Sequence, residues 1–267
     1  DPEREMEHKT RKEGISILAV YHCPHAPDEG CTCRKPRTGM AERAQEDHAI
    51  DLKDSWVVGD HATDAELAKN LGCKAVHLLT GKGRETLPRA KAHGPAYVAT
   101  DLLQAATFIT KTKPEKIIPR KDIKEEAETL RKQKKRTVTL NGAFDLLHEG
   151  HDYILTEAKK QGDVLIVALN EDASIRKSKG EGRPVNNREA RQLMLTAHEA
   201  VDYVTSFPEP TPVELLEEIR PDVHANGAEY GEDCVEAPTV KTHGGRIHLI
   251  PRREGFSSTG LLHGKNH

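Results

Sequence analysis

Apolar and polar positions change their period from segment to segment along the chain, and those changes mark out its elements. Ile15 to Tyr21 reads ISILAVY, a short β-forming run without alternation, which predicts a buried parallel strand. His22 to Met40, crowded with Cys, Pro, Gly and Arg, predicts a loop. A helix from Met40 to about His48 follows, then a strand Ser55 to Val58 ending in Gly59-Asp60. Next come a helix Asp64 to Leu71 stopped by Gly72 and a strand Ala75 to Leu79.

The second half repeats the alternation. Helical spacing of Ile123, Ala127 and Leu130 predicts a helix over Asp122 to Gln133. It is followed by a strand Thr137 to Leu140, a loop Asn141 to Leu147, a helix from about Gly150 to Lys160 and a strand Val164 to Leu169. Helices near Asn187 to His198 and Thr211 to Ile219, with strands Val201 to Ser206, Asp222 to Ala225 and Arg246 to Ile250, complete it. Two βα series in succession define an α/β chain of two Rossmann-like domains with mainly parallel sheets and ligands at the strand C-termini.

A length of 267 residues suits two such domains. Between Thr110 and Arg136 the composition turns to Lys, Glu, Pro and Arg, so the domains are drawn as residues 1–112 and 113–267. The charged opening from Asp1 to Glu13 has no strand before Ile15, and the chain is expected to begin part way through a domain.

A formal net charge of −3 with both signs interspersed excludes a large basic face for nucleic acid and leaves small anions as ligands. No stretch approaches the roughly 18 apolar residues of a membrane helix, and a cytoplasmic enzyme is the expectation. Five cysteines are an odd number, and Cys23, Cys31 and Cys33 crowd one loop with His25. That inventory of soft and borderline ligands points to a structural zinc clip, and to a reducing compartment rather than a disulfide framework. Two buried thiols and a solvent histidine are the plain alternative.

NGAFDLLHEGH sets His148 and His151 three residues apart where a strand hands over to a helix. Both imidazoles can then point the same way beside the free N–H groups of a helix start, a place suited to polyphosphate. Such a pair can also simply cap the helix. Gly142 clears room for a backbone approach to a ligand, and Asp145 can fix a histidine tautomer or engage metal or ribose. In the first half, VVGD with Asp64 puts Asp60 and Asp64 at a strand end, suited to Mg²⁺ or to a helix cap, and Arg34 and Lys35 can meet a phosphate.

NGAFDLLHEGH, ALNEDASIRKSKGEGRPV and RREGFSSTGLL resemble, in order, the three signatures of the cytidylyltransferase-like nucleotidyltransferases. From about Asp122 to Leu262 the chain is most similar to the heptose 1-phosphate adenylyltransferases within that family. The resemblance implies transfer of AMP from ATP to a heptose 1-phosphate with Mg²⁺ on the phosphates, toward a bacterial surface glycan. It implies that His148 and His151 grip the β- and γ-phosphates, and that Lys179 in a flexible loop closes over them. Gly142, Ala143, Phe144 and Asp145 would line the phosphates. Arg252, Gly255, Ser257, Ser258 and Thr259 would bind phosphate at the last helix, and Asp172, Arg183 and Arg191 would contact substrate or nucleotide. Asn226 stands where those enzymes usually show lysine, and Ala143 where cysteine is common.

CPHAPDEGCTCRKPRTGM and VVGDHATDAELAKNLG resemble the zinc-containing heptose bisphosphate phosphatases of the haloacid dehalogenase superfamily, over about Ile15 to Ile109. That family opens on an Asp-x-Asp nucleophile strand that does not precede Ile15, so Arg34, Lys35, Asp60 and Asp64 are expected as the remains of a site with little phosphatase activity. The two resemblances name consecutive steps on one sugar. A cytidylyltransferase for glycerol 3-phosphate or a similar alcohol phosphate, and a non-catalytic zinc-stabilised scaffold, are the alternatives. The partners expected are small molecules, neither nucleic acid nor membrane, with homo-oligomerisation left open.

Overall fold

The structure, a computed structural model, describes residues 9–251 and 258–263, and of Ser258, Thr259 and His263 the backbone only. The chain forms two compact units, one of residues up to His77 with 81–96, the other of 78–80 with Tyr97 onward. No helix among the described residues is long and apolar enough to cross a membrane.

The first unit contains α1 (Gly39–His48), β1 (Trp56–Gly59), α2 (Ala62–Leu71), β2 (Lys74–Leu78, its last residue going with the second unit) and α3 (Gly83–Lys91). β1 and β2 pair in parallel, Trp56 opposite Lys74 through Gly59 opposite His77. The core is built from small side chains, Ala62, Ala65, Ala68, Ala75 and Ala90. α2 starts two residues earlier than its apolar pattern suggests because Asp64 sits at its third position and closes a capping box with His61.

The strand expected over Ile15 to Tyr21 does not form. The segment carries no regular structure, and Ile15 and Leu18 are 57% and 74% exposed. An apolar run becomes a parallel strand only where a neighbour takes its backbone hydrogen bonds, and among the described residues none does.

The second unit adds β3 (Tyr97–Ala99), α4 (Leu102–Lys111), a 3-10 turn (Pro114–Lys116), α5 (Ile123–Lys132), β4 (Thr137–Gly142), α6 (Glu149–Lys159) and β5 (Val164–Asn170). It continues with α7 (Asp172–Lys179), α8 (Arg188–Thr196), β6 (Tyr203–Phe207), α9 (Val213–Ile219), β7 (Val223–Gly227), α10 (Ala237–Thr242), β8 (Arg246–Ile250) and α11 (Ser258–His263). The helices α3, α4, α7 and α10 had no counterpart in the sequence pattern.

β4 to β8 make a five-stranded sheet in the order β6-β5-β4-β7-β8, every pair parallel. β5 shows why both faces are covered. Leu165, Val167 and Leu169 join one buried cluster with Val138, Leu140 and Leu155, while Val164, Ile166 and Ala168 join the other with Ile123, Leu130, Phe207 and Leu215. Successive strands leave β4 first toward β5 and β6, then toward β7 and β8. The switch point, where such sheets bind ligands, therefore lies beyond the C-terminal end of β4.

By packing, residues 97–112 go with the second unit. The Asn186 amide accepts from the Val98 N–H at 2.7 Å and donates to the Val98 carbonyl at 3.0 Å.

Candidate functional site

β4 ends at Gly142, and the turn that follows is forced by Phe144, whose φ is +43°. A Cβ on Gly142 would lie 3.0 Å from the Phe144 ring, so the glycine makes room for that ring. Phe144 in turn stands 5.1 Å, centroid to centroid, from the His151 imidazole and backs it. His148 occupies the N-cap of α6 with extended φ and ψ but makes no side-chain capping bond, which disposes of the plain capping role. Its ring stacks on His151 at 3.8 Å with 23° between the planes.

His151 sits where positive charge is costly. Burial, then the neighbouring His148, then the Lys179 charge lower the His151 pKa to about 3, so the imidazole is neutral at physiological pH. Its Nδ1 is buried and has no hydrogen-bond partner among the described residues. A buried polar atom of that kind is one that a bound group can satisfy.

Lys179 is the last residue of α7 rather than part of a loop, a correction to the sequence expectation. The helix carries on through Arg176, Lys177 and Lys179 because cations suit a helix C-terminus. Gly180 and Gly182, at φ +86° and +84°, then turn the chain back. Burial first, and then the nearby Arg183 charge, push the Lys179 ammonium below the usual lysine range. Its charge is felt at His151, so the ammonium and the imidazole pair share one region.

Asp145 is buried and accepts from Arg183 Nη1 at 2.6 Å, from the Val185 N–H at 2.8 Å and from the Asn186 N–H at 3.0 Å. It ties the segment after the glycine turn to the β4 loop. Arg191 has a wholly buried side chain that donates to the carbonyls of Ala143 at 2.6 Å, Asn170 at 2.9 Å and Asn186 at 3.2 Å, and to Asp172 Oδ1 at 2.7 Å. Asp172 also accepts from the Arg188 N–H at 3.2 Å. These groups brace the loops that follow β4 and β5. Asn186, which sequence reasoning passed over, completes the brace; its partner Val98 is 88 positions away, a separation no local pattern reveals.

Arg252, Gly255 and Ser257 lie outside the described residues, and the Ser258 and Thr259 backbone opens α11. Asn226, at the end of β7, is buried and accepts from the Gly227 N–H at 3.1 Å.

In the first unit Cys23, His25, Cys31 and Cys33 place four donor atoms within 4.8 Å of one another. Cys23 Sγ lies 3.6 Å from Cys31 Sγ and 3.3 Å from Cys33 Sγ, and His25 Nδ1 lies 3.2 Å from Cys33 Sγ. A tetrahedron with metal–sulfur bonds of about 2.3 Å has edges of ~3.7 Å, so the set fits a closed four-coordinate metal site. The Arg34 guanidinium donates to the His25 carbonyl at 2.9 Å and braces the loop.

The carboxylates expected at the end of β1 are both engaged. Asp64 accepts from Lys35 Nζ at 2.5 Å and from the His61 N–H at 3.0 Å; Asp60 accepts from the Lys82 N–H at 3.0 Å. Gly59 is required here, since a Cβ would collide with the Asp64 side chain.

Residues 139–260 match the cytidylyltransferase-like family and residues 32–105 the HAD-hydrolase-like family. The five-stranded parallel sheet and its switch point thus coincide with the segment that matches the cytidylyltransferase-like family, and the segment that matches the HAD-like family precedes it. Among curated proteins the chain is similar to the bifunctional protein HldE of Azotobacter vinelandii, with 47% identity over 131 residues, 49% of this chain and 28% of that protein. It is similar also to the bifunctional protein HldE of Campylobacter jejuni subsp. doylei, with 46% identity over 140 residues, 52% of this chain and 30% of that protein. The chain thus covers under a third of the length of these relatives. A solved structure of D,D-heptose 1,7-bisphosphate phosphatase from B. bronchiseptica, complexed with magnesium and phosphate, is 34% identical at a TM-score of 0.36, covering 38% of this chain and 56% of that one.

Proposed function

We propose that the second domain transfers AMP from ATP to a heptose 1-phosphate, releasing pyrophosphate. The observation that carries this reading is the stacked His148–His151 pair at the sheet's switch point, with the Lys179 charge beside it.

An oxygen of the sugar phosphate attacks the α-phosphorus, the bond from that phosphorus to the bridging oxygen breaks, and pyrophosphate leaves. No covalent enzyme intermediate is needed; the work is positioning and charge neutralisation. The helix start and the two imidazoles offer N–H donors to the departing phosphates, and Lys179 supplies a full positive charge. Mg²⁺ accompanies the triphosphate and neutralises part of its charge. Ser257, Ser258, Thr259 and Arg252 complete the phosphate grip in this reading. Arg183 contacts substrate from the arm that Asp145 holds, while Arg191 and Asp172 act by positioning the loops. In the first unit Cys23, His25, Cys31 and Cys33 hold Zn²⁺, which orders their loop. The family boundary is placed at 112/113.

Heptose is favoured because the motifs of the two halves resemble those of heptose bisphosphate phosphatases and heptose 1-phosphate adenylyltransferases, consecutive steps on one sugar. Asn226 places a neutral amide where an ammonium is usual, so base and sugar are best decided by assay. Pyrophosphate release with ATP, CTP and GTP, each against heptose 1-phosphate and glycerol 3-phosphate, separates the alternatives. ATP with heptose 1-phosphate is expected to be fastest; CTP with glycerol 3-phosphate in first place would replace the substrate assignment.

A further inference from the structure

The second unit has a cavity of about 530 Å³ lined by Arg131, Lys134, Lys135, Arg136, Arg220 and His243. It lies where β4 and β7 begin, beside Thr137 and Asp222, which is the end of the sheet opposite the histidine pair. We propose that it binds a small anion carrying two or more phosphate groups, at a site separate from the transferase site and independent of that reading.

The cations need an explanation because part of the cluster has an ordinary one. Lys134 follows the C-cap of α5, and Arg220 and His243 are the C-caps of α9 and α10. Helix C-termini carry partial negative charge and favour such residues. The charges do not balance, however. Three helix ends at about half a charge each, with Asp222 and with Asp163 at the Arg136 N–H, leave the five permanent cations in surplus by roughly one to two charges. Glu217 accepts from His243 at 2.7 Å and also interacts with the Arg220 charge, which trims that surplus without removing it.

The negative group in the wall is itself spent, since Asp222 Oδ2 accepts from the Thr137 N–H at 2.7 Å and from its hydroxyl at 3.1 Å. Lys134, Lys135 and Arg136 have no side-chain acceptor among the described residues, whereas Arg131 donates to the Ile219 carbonyl at 2.9 Å. Lys134 and Arg220 sit at φ +57° and +49°, left-handed positions that glycine or asparagine takes with less strain. A chain of net charge −3 therefore gathers a surplus of cations around one concavity of ligand size. Polyphosphate matches both that surplus and the forked donors of arginine.

The test is calorimetric titration of the full chain with inorganic pyrophosphate and, separately, with ATP, in a His151→Ala background that weakens the transferase site. A triple variant, Lys134→Asn, Lys135→Gln and Arg136→Gln, is compared on the same background, with asparagine chosen because it accepts the left-handed backbone. Pyrophosphate or ATP affinity is expected to fall at least tenfold in the triple variant while the melting temperature stays within a few degrees. The ATP arm tells a nucleotide site from an inorganic one. Equal affinity in the two proteins, or binding of a short DNA duplex more tightly than either phosphate, would overturn the proposal.

Discussion

The Asp145 carboxylate, at the end of the β4 loop, holds the Arg183 guanidinium at 2.6 Å across 38 positions of sequence, with the two side chains only 1% and 10% exposed. The same carboxylate receives the N–H groups of Val185 and Asn186, so one side chain fixes the arm that returns from the glycine turn beside Lys179. Breaking a buried pair of this kind strands the partner charge, and Asp145→Asn is expected to cost about 3 kcal/mol. Urea unfolding checks it. A loss below about 0.5 kcal/mol, the range of an ordinary surface change, would mean the pair is not what holds the arm.

Lys179 is expected to act through its charge on the triphosphate. Lys179→Ala should lower kcat/KM for the nucleotide by about 10²-fold, and Lys179→Arg should recover part of it because the charge is kept. Steady-state kinetics against ATP decide. Equal rates for the alanine and arginine variants would remove the ammonium from the mechanism.

Acid should destabilise the second unit in a defined window. The His151 pKa is lowered from 6.5 to about 3 by burial and then by His148, and that of His224 from 6.5 to about 4 by burial. Both are bases depressed by folding, so the unfolded chain takes up a proton near pH 6.5 that the native chain refuses until pH 3 to 4. Stability is therefore whole above pH 6.5 and drains away as pH falls toward those values, by up to ~1.4 kcal/mol per pH unit for each group. His151→Asn should flatten the slope of unfolding free energy between pH 6 and 4.5, approximately by that amount. An unchanged slope would show that His151 is not held neutral.

The cysteine and histidine loop is expected to hold close to ~1 equivalent of zinc, because its four donors already stand at tetrahedral separations. Elemental analysis of purified chain and of Cys33→Ser tests this. Equal metal content in the two proteins would refute the site. Chelation is expected to raise protease sensitivity in residues 22–40, since metal binding here is loop-ordering free energy.

The parts of this fold that the sequence revealed are those set by local spacing. Ile123, Ala127 and Leu130 announce α5, the apolar run of β5 announces a strand covered on both faces, and the spacing of His148 and His151 places both rings on one side of α6. What stayed hidden depends on partners far along the chain. ISILAVY has the composition of a buried strand, yet composition cannot supply the neighbour that would bury it, and Leu18 is exposed. Lys179 read as loop because Gly180 and Gly182 dominate its surroundings, whereas Ile175, buried beneath the helix, anchors α7 as far as Lys179. Arg191 read as a ligand contact because arginine near a phosphate motif usually is one. Only the folded chain shows its donors directed at the Ala143, Asn170 and Asn186 carbonyls.

Comparing the unaltered chain with His148→Ala and His151→Ala for conversion of ATP and heptose 1-phosphate into pyrophosphate and a nucleotide sugar tests the central claim most directly. Each substitution is expected to reduce turnover by roughly 10² to 10³-fold with little change in melting temperature, the scale seen when one donor to a developing charge is lost. Turnover unchanged in both variants would contradict the assignment of this imidazole pair as the catalytic centre.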